Sequence, residues 1–410
     1  MTLPAHRTLL LVAGDLSGDI NTARLAREIS RRHPDWTLHA LGGRHLREAV
    51  AESPGARFVG DSSGSGVIGF VSAMSILPRV KRLHRRALHF LEKHRVDAAV
   101  LCDWGGFNTR LLPHLKRRNI PVLYYFPPRS WQKSGAGGFN IAPFVERVAT
   151  PFEWSAERLN AAGCHATWVG HPLLETVLPS QPRDELRREF GVAEHEKLVA
   201  LLPGSRDLEL RYIAPHLAEA AELLSGYPAS PPIRFVVAVP QGAASMARRY
   251  FPFSPAARRY FPDSIPIIEG RSADALIAAD AAVVKSGTAT LEAAVSGVPQ
   301  VMVYDLPPLV GAQWHLTGMS KKTPFIAMPN IILGRRAVEE LLTDNCRAHP
   351  ISQAVIKVLH DAALRERMRQ DYVAVRRALG SELPGGATSR TADILDEMLA
   401  SSTAGGGTLR

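Results

Sequence analysis

The sequence predicts an α/β protein made of two doubly wound domains with parallel sheets. Three observations carry this expectation. Short apolar runs alternate with longer stretches of helical spacing along most of the chain. Several of those runs break abruptly into glycine-containing turns, as strand-to-helix junctions do. The length of 410 residues corresponds to two or three domains at roughly 150 residues each. A hydrophobic fraction of 46% is enough for a core in each domain, which excludes disorder as the main state.

The first series opens with the apolar run at 8–13, Thr-Leu-Leu-Leu-Val-Ala. It breaks into the loop Gly14-Asp15-Leu16-Ser17-Gly18-Asp19, and helical spacing follows from Ile20 to Arg32. Further strands are expected at 36–42, 96–102 and 121–126, each a short, buried-looking run next to a polar helical stretch, as a parallel sheet requires. A helix over 76–95 carries Ile76, Val80, Leu83, Ala87, Leu88 and Leu91 on one side. Its cations, among them Arg79, Lys81, Arg82, Arg85 and Arg86, stand elsewhere. This series forms a first domain over 1–172. The segment 173–193, introduced by Gly170-His171-Pro172 and containing Pro179 and Pro182, has the composition of an interdomain linker.

The second series begins with the strand at 197–202, which runs into Pro203-Gly204-Ser205-Arg206. Strands near 234–239, 265–269, 281–285 and 299–304 follow, giving a second domain over 194–354. Helical spacing dominates 355–400, and the Gly- and Ser-rich residues 401–410 read as a disordered tail. Arg-Arg-Tyr-Phe-Pro occurs at 248–252 and again at 258–262. It reads as a duplicated surface helix end or as a basic-aromatic contact for membrane or nucleic acid.

Composition narrows the function classes. No apolar run approaches the roughly 18 to 20 residues of a membrane span, and the N-terminus lacks signal-peptide order, so a cytoplasmic protein is expected. Cys102, Cys164 and Cys346 are too few and too scattered for a disulfide framework or a structural zinc site. Forty-nine Lys and Arg against 39 Asp and Glu leave a formal charge of +10. That balance favours anionic partners: nucleotides, sugar phosphates, nucleic acid or a lipid headgroup surface.

Two strand-turn-helix junctions in the second half carry the most chemistry. Pro203-Gly204-Ser205-Arg206 follows one strand, and Ser286-Gly287-Thr288-Ala289-Thr290-Leu291-Glu292 follows another. Glycine lets backbone approach a ligand closely, and a helix N-terminus favours phosphate. Arg206 adds a rigid fork of donors for a diphosphate. Ser-Gly-Thr is equally a good N-cap without any ligand, yet two such turns in one domain favour a nucleoside diphosphate. Neither matches a Walker loop or the dinucleotide glycine fingerprint.

In the first half, Asp103 directly follows a strand, at the carboxyl edge where open α/β sheets place their ligands. It reads either as a general base with a raised pKa or as the cap of the segment starting at Trp104. The loop holding Ser17 and Asp19 either binds a sugar hydroxyl or shapes its own turn. Gly64 to Val71 is glycine-rich yet apolar and precedes the basic helix. Together they form either an anionic-membrane contact or an ordinary core stripe with a solvated face.

Taken together, these segments resemble the lipid A disaccharide synthases, the family 19 glycosyltransferases. The matching pieces run in family order over most of residues 8–375. They are Val12 to Asp15 with Ser17 to Asp19, Gly66 to Gly69, Asp103 with Phe107-Asn108, Val169 to Pro172, Leu202 to Arg206 with Glu209, Ser286 to Glu292, and Met328-Pro329-Asn330 with Gly334-Arg335. The resemblance implies a GT-B architecture of two Rossmann-like domains facing across a cleft, with the helices of 355–400 packing back on the first domain. It implies an inverting transferase that needs no cofactor and no metal. Such an enzyme moves 2,3-diacylglucosamine from UDP-2,3-diacylglucosamine to 2,3-diacylglucosamine 1-phosphate (lipid X), forming a β-1,6 linkage and releasing UDP.

Carried over by position, Asp103 becomes the base on the acceptor 6-hydroxyl, and Ser205, Arg206, Glu209, Ser286, Gly287, Thr288 and Glu292 hold UDP. Ser17, Asp19 and Asn330 become sugar contacts, and Val67, Ile68 and Phe70 acyl or membrane contacts. The implied partners are the anionic cytoplasmic face of the inner membrane and a second copy in a homodimer, with no nucleic acid. Three departures stand out. Trp104-Gly105-Gly106 replaces the usual Ala-Pro-Asp after the aspartate, Pro127 to Gly135 matches only part of a usual tryptophan-rich stretch bearing arginine and glutamine, and Asp305 replaces the usual arginine after Tyr304. Competing readings are a UDP-N-acetylglucosamine 2-epimerase-like enzyme, a GT-B transferase with another acceptor, and a noncatalytic basic membrane- or nucleic-acid-binding protein.

Overall fold

The computed structural model describes residues 6–63, 70–128, 140–226, 231–251, 265–305 and 324–404, without the side chains of 70–76 and 402–404. The expected contacts Val67 and Ile68, the Phe70 side chain, most of 127–135 and the second Arg-Arg-Tyr-Phe-Pro segment lie outside the described residues. The chain divides into two compact units, 1–172 with 378–410, and 173–377.

The first unit holds a seven-stranded sheet in the order β3-β2-β1-β4-β5-β6-β7, every pairing parallel. The strands are β1 Thr8–Ala13, β2 Thr37–Gly42, β3 Phe58–Asp61, β4 Ala98–Cys102, β5 Val122–Tyr125, β6 Arg147–Thr150 and β7 Ala166–Trp168. Period-2 alternation sends Leu9, Leu11 and Ala13 to one face, against the helix Leu16–Arg32 and Leu395, Met398 and Leu399 of the last helix. Leu10 and Val12 face the other way, onto Leu83, Ala87 and Leu91 of helix Phe70–Lys93 and Phe107, Leu111 and Leu115 of helix Gly105–Arg117. Both faces are therefore covered, which is why these strands read as unbroken apolar runs.

Asp15 caps the first helix by accepting from the Gly18 N–H at 2.8 Å. Near that helix's end, Arg32 donates to Asp393 at 2.6 Å and Asp396 at 3.2 Å, which holds the last helix in place. His171 packs against Phe126 and Phe152, and burial pushes its pKa down to about 4, so the ring stays neutral.

The second unit holds a six-stranded parallel sheet, β10-β9-β8-β11-β12-β13. Its strands are β8 Lys197–Leu202, β9 Ile233–Val239, β10 Ile267–Glu269, β11 Ala281–Lys285, β12 Gln300–Tyr304 and β13 Glu339–Leu342. Leu198, Ala200, Leu202, Ala282 and Val284 pack against Ala275, Leu276 and Ala293 on one side. Helices Asp207–Gly226 and Ala348–His360 pack together as a pair in the same unit.

Three boundaries differ from expectation. Residues 173–193 are no free linker: helix Arg183–Glu189 belongs to the second unit, where the buried Arg187 donates to Ala278 O at 3.0 Å, Glu196 O at 2.7 Å and Asp280 at 3.1 Å. Residues 355–377 stay with the second unit instead of returning to the first. Gln300 hydrogen-bonds Tyr372 at 3.3 Å and Arg376 donates to Val295 O at 2.6 Å, so these helices are tied to the second sheet. The last helix, Ala387–Ala404, also runs past residue 401, into the stretch expected to be a tail.

Candidate active site

In each sheet the strand order reverses once, between β1 and β4 in the first unit and between β8 and β11 in the second. Loops leaving the carboxyl ends of two such strands diverge to opposite faces and leave a crevice, which is where open α/β sheets bind ligands. The loops at these points are 14–19 and 103–107 in the first unit, and 203–206 and 286–288 in the second.

Asp103 leaves β4 with φ +44° and Trp104 follows with φ +42°, two consecutive non-glycine residues in the left-handed region. Such backbone costs roughly 1 to 3 kcal/mol per residue and persists only where its surroundings hold it. Here the Asp103 carbonyl accepts from Asn108 Nδ2 and from the Tyr124 hydroxyl, each at 2.8 Å, and the Asp103 N–H donates to Phe126 O at 3.1 Å. Asn108 is fully buried. Trp104 stacks on Phe107, with centroids 4.1 Å apart and planes 4° from parallel. The indole lies over Gly14, where any Cβ would overlap its ring, so only glycine fits beneath.

The strained turn leaves the Asp103 carboxyl half-buried beside Asp15. Burial is the larger cause and the Asp15 charge the second, and together they raise its pKa from 3.8 to about 7; a bond from the Trp104 backbone N–H opposes them only in part. Asp15 is thus an electrostatic partner that sequence reading did not single out. A Cβ at Gly106 would meet nothing within 4 Å, so packing does not enforce the loss of an acid there.

In the second unit Glu209 is the hub. Its carboxylate accepts from Ser205 N at 2.8 Å, from Arg206 N and the Arg206 guanidinium at 3.3 Å each, and from Lys285 Nζ at 2.7 Å. Gly204, at φ +121°, lies so close to it that a side chain would strike Glu209. Burial alone would push the Glu209 carboxyl up, but Lys285, the Ser205 N–H and Arg206 outweigh it and hold the group below the usual carboxylate range. Lys285 ends β11, and its ammonium lies 5.6 Å from the centroid of the Tyr304 ring. The Glu209–Lys285 pair therefore brings the two turns together. Lys285 closes an apolar strand in the sequence, and its charge at a strand's carboxyl end was the available signal.

Ser205, Arg206 and Thr288 are exposed, and Ser286 is buried with its hydroxyl 3.3 Å from Ile326 O. Gly287, at φ +131°, precedes the nine-residue helix Thr288–Ser296. Glu292 accepts from Ser272 Oγ at 2.8 Å, and burial raises its pKa.

Two expected sugar contacts are bonded within the first and second units themselves. Asp19 is buried and accepts from Gly43 N at 2.7 Å, His45 N at 2.9 Å and Leu46 N at 3.2 Å, so its carboxylate holds the backbone leading into the next helix. Asn330 is fully buried. It donates to Val338 O and Glu340 and accepts from Ala337 N and Val338 N, all within 2.8 Å, which uses both ends of its amide. Ser17 is exposed and its hydroxyl hydrogen-bonds Asp15 at 3.3 Å. Where an arginine was expected, Asp305 accepts from Arg347 at 3.0 Å.

Two Rossmann-like domains with these switch-point loops define the GT-B class. The fold is shared with UDP-GlcNAc 2-epimerase from Neisseria meningitidis bound to UDP-GlcNAc, at a TM-score of 0.59 and 13% identity over 96% of this chain and all of that one. It is shared with Acinetobacter baumannii MurG at a TM-score of 0.53 and 15% identity, over 96% of this chain and all of that one. The family model for lipid-A-disaccharide synthetase matches residues 9–383. Lipid-A-disaccharide synthase of Prochlorococcus marinus is 35% identical over 94% of this chain and 96% of that protein. Its Geobacter sulfurreducens counterpart is 30% identical over 97% and 99%. The chain belongs to the lipid-A-disaccharide synthetase family and is a glycosyltransferase of lipid A biosynthesis, which sets aside the noncatalytic reading. No helix among the described residues is long and apolar enough to cross a membrane.

Proposed function

We propose that the protein transfers 2,3-diacylglucosamine from UDP-2,3-diacylglucosamine to the 6-hydroxyl of 2,3-diacylglucosamine 1-phosphate, with inversion and release of UDP. The observation that carries this reading is the Asp103 carboxyl, held at a switch point with a pKa raised to about 7. A general base works best when its pKa lies near the operating pH. Asp103 takes the 6-hydroxyl proton as that oxygen bonds to the donor's anomeric carbon and the bond from that carbon to the diphosphate oxygen breaks. The electron pair leaves with UDP.

The charge gathering on the diphosphate is met in the second unit by the start of helix Thr288–Ser296, by Arg206 and by Lys285. The Ser205 hydroxyl, Gly287 and Thr288 supply donors around it, Ser286 joins them by turning its hydroxyl away from Ile326 O, and Glu209 fixes the turn. Glu292, one turn into the helix, is the acceptor for a nucleoside hydroxyl in this reading. Basic residues of helix Phe70–Lys93 support peripheral attachment to an anionic inner-membrane surface on the cytoplasmic side.

Mass spectrometry of a reaction with UDP-2,3-diacylglucosamine and the 1-phosphate acceptor tests the assignment. The expected product is the β-1,6 disaccharide 1-phosphate, formed one for one with UDP. Release of free diacylglucosamine with no disaccharide, or a C2-epimerised donor, would replace transfer by hydrolysis or epimerisation.

A further inference from the structure

Between helix Phe70–Lys93 and helix Gly105–Arg117 lies a cleft of about 300 Å³, lined by Val80, Lys81, His84, Arg85, Phe107 and Arg110. The spacing makes it a designed face. Val80 with His84 and Lys81 with Arg85 are four apart on one helix, and Phe107 with Arg110 are three apart on the other, so each pair shares a side. Phe107 is fully buried and forms the floor, stacked on Trp104, the residue next to Asp103. Lys81, Arg85 and Arg110 are exposed at the rim.

The cleft is also at the right height. Helix Phe70–Lys93 descends toward the amino end of β4, and at about 1.5 Å per residue positions 80–85 stand about 12 to 20 Å above its end. The five residues of β4 climb about 17 Å over the same rise. Arg79 donates to Asp61 O at 3.3 Å at the carboxyl end of β3, and a Cβ at Gly60 would meet Leu83, so this part of the helix runs beside the carboxyl half of the sheet that carries Asp103.

Among the described residues, no acidic residue lines the cleft and none of its three rim cations makes an ion pair, although nearby Arg79 and Arg118 lie 4.0 Å from Asp61 and Glu92. His84 Nε2 is buried with no hydrogen-bond partner among them. Three gathered cations repel one another, and a phosphate dianion relieves that repulsion. The volume falls at the small end of ligand pockets, room for a headgroup and not a whole lipid.

We propose that this cleft seats the phosphate of the glycolipid acceptor, with Lys81, Arg85 and Arg110 as counter-charges and Val80 and Phe107 beneath the adjoining apolar part. The proposal rests on reading the acceptor as a phosphorylated diacylglucosamine. It makes the cleft the element that selects phosphorylated over unphosphorylated acceptors.

The test is the double variant Arg85→Gln with Arg110→Gln, assayed in detergent micelles with 2,3-diacylglucosamine 1-phosphate and with the same glycolipid lacking the phosphate. The expected result is a KM for the phosphorylated acceptor raised about ten- to a hundredfold, with kcat, the donor KM and the KM for the unphosphorylated acceptor unchanged. No change, or equal changes for both acceptors, overturns the proposal. So does a variant that loses sedimentation with phosphatidylglycerol vesicles but keeps its acceptor KM, since the cleft would then serve the membrane. If the unaltered protein turns over neither acceptor, the reading of the reaction fails, and equilibrium binding of the two glycolipids decides the cleft by itself. Phosphate-dependent binding that the double variant loses upholds it, and equal binding by both proteins sinks it.

Discussion

Asp103→Asn is expected to lower turnover by about 10² to 10⁴, to leave UDP affinity near normal, and to make the fold more stable at alkaline pH. The first effect follows from removing the group that accepts the hydroxyl proton. With Gly106 in place of the second acid of the motif and Asp19 bonded to three backbone donors, the neighbouring carboxylate that remains is Asp15, which is engaged in capping the first helix through the Gly18 N–H. The stability effect has the opposite sign from that of an ordinary capping aspartate. Between the ordinary pKa of 3.8 and about 7, folded Asp103 keeps a proton that the unfolded chain has released. The native state therefore loses stability as pH rises through that window and carries the full cost above it.

At about 1.36 kcal/mol per pKa unit the cost reaches at most about 4 kcal/mol. Asparagine is nearly isosteric and never ionises. Melting curves of the variant and the unaltered protein should coincide near the acid end of the window and separate toward pH 8, with the variant higher. A variant that turns over normally, or melts lower at pH 8, would reduce Asp103 to a cap.

Glu209→Ala should cost about 3 kcal/mol of stability, because it strands the Lys285 ammonium, whose side chain is only 14% exposed, without its counter-charge. The same change removes the acceptor for the Ser205 and Arg206 N–H groups, so UDP binding should fall as the turn loses its form. Arg206→Ala makes the contrast. Its side chain is 42% exposed, so stability should hardly change while UDP affinity drops about tenfold. Because the Glu209 pKa is held down, its stabilisation is present at neutral pH and is lost as pH falls through and below the usual carboxylate range. Thermal melts paired with calorimetric titration of UDP check both variants. Full UDP affinity in Glu209→Ala would move the donor site away from this turn.

Much of the fold was legible because central parallel strands are continuous apolar runs. The bounds expected for β1, β8 and β11 are those observed. The strands that escaped notice, β3, β6, β7 and β13, are three or four residues long. β13 reads Glu-Glu-Leu-Leu, which resembles the start of a helix more than a strand. Helical spacing at 355–377 revealed helices but not which sheet they cover. That is decided by bonds such as Arg376 to Val295, 81 residues apart.

At the site, strand-end placement pointed to Asp103 and to both turns of the second unit. The bonding of Asp19 and Asn330 was not legible, since a sequence does not reveal whether a buried carboxylate or amide faces a ligand or its own backbone. Lys285 was passed over because it closes an apolar strand, and the influence of Asp15 on Asp103 depends on two loops 88 positions apart meeting at one sheet edge.

The pH dependence of kcat/KM for the acceptor, measured in the unaltered protein and in Asp103→Asn, tests most directly whether Asp103 is the base. A single ionisation near pH 7 should govern the unaltered enzyme, with the rate falling about tenfold per pH unit below it and level above, and the residual activity of the variant should lack that limb. A profile level down to about pH 5, or the same limb persisting in Asp103→Asn, would place the base at another residue.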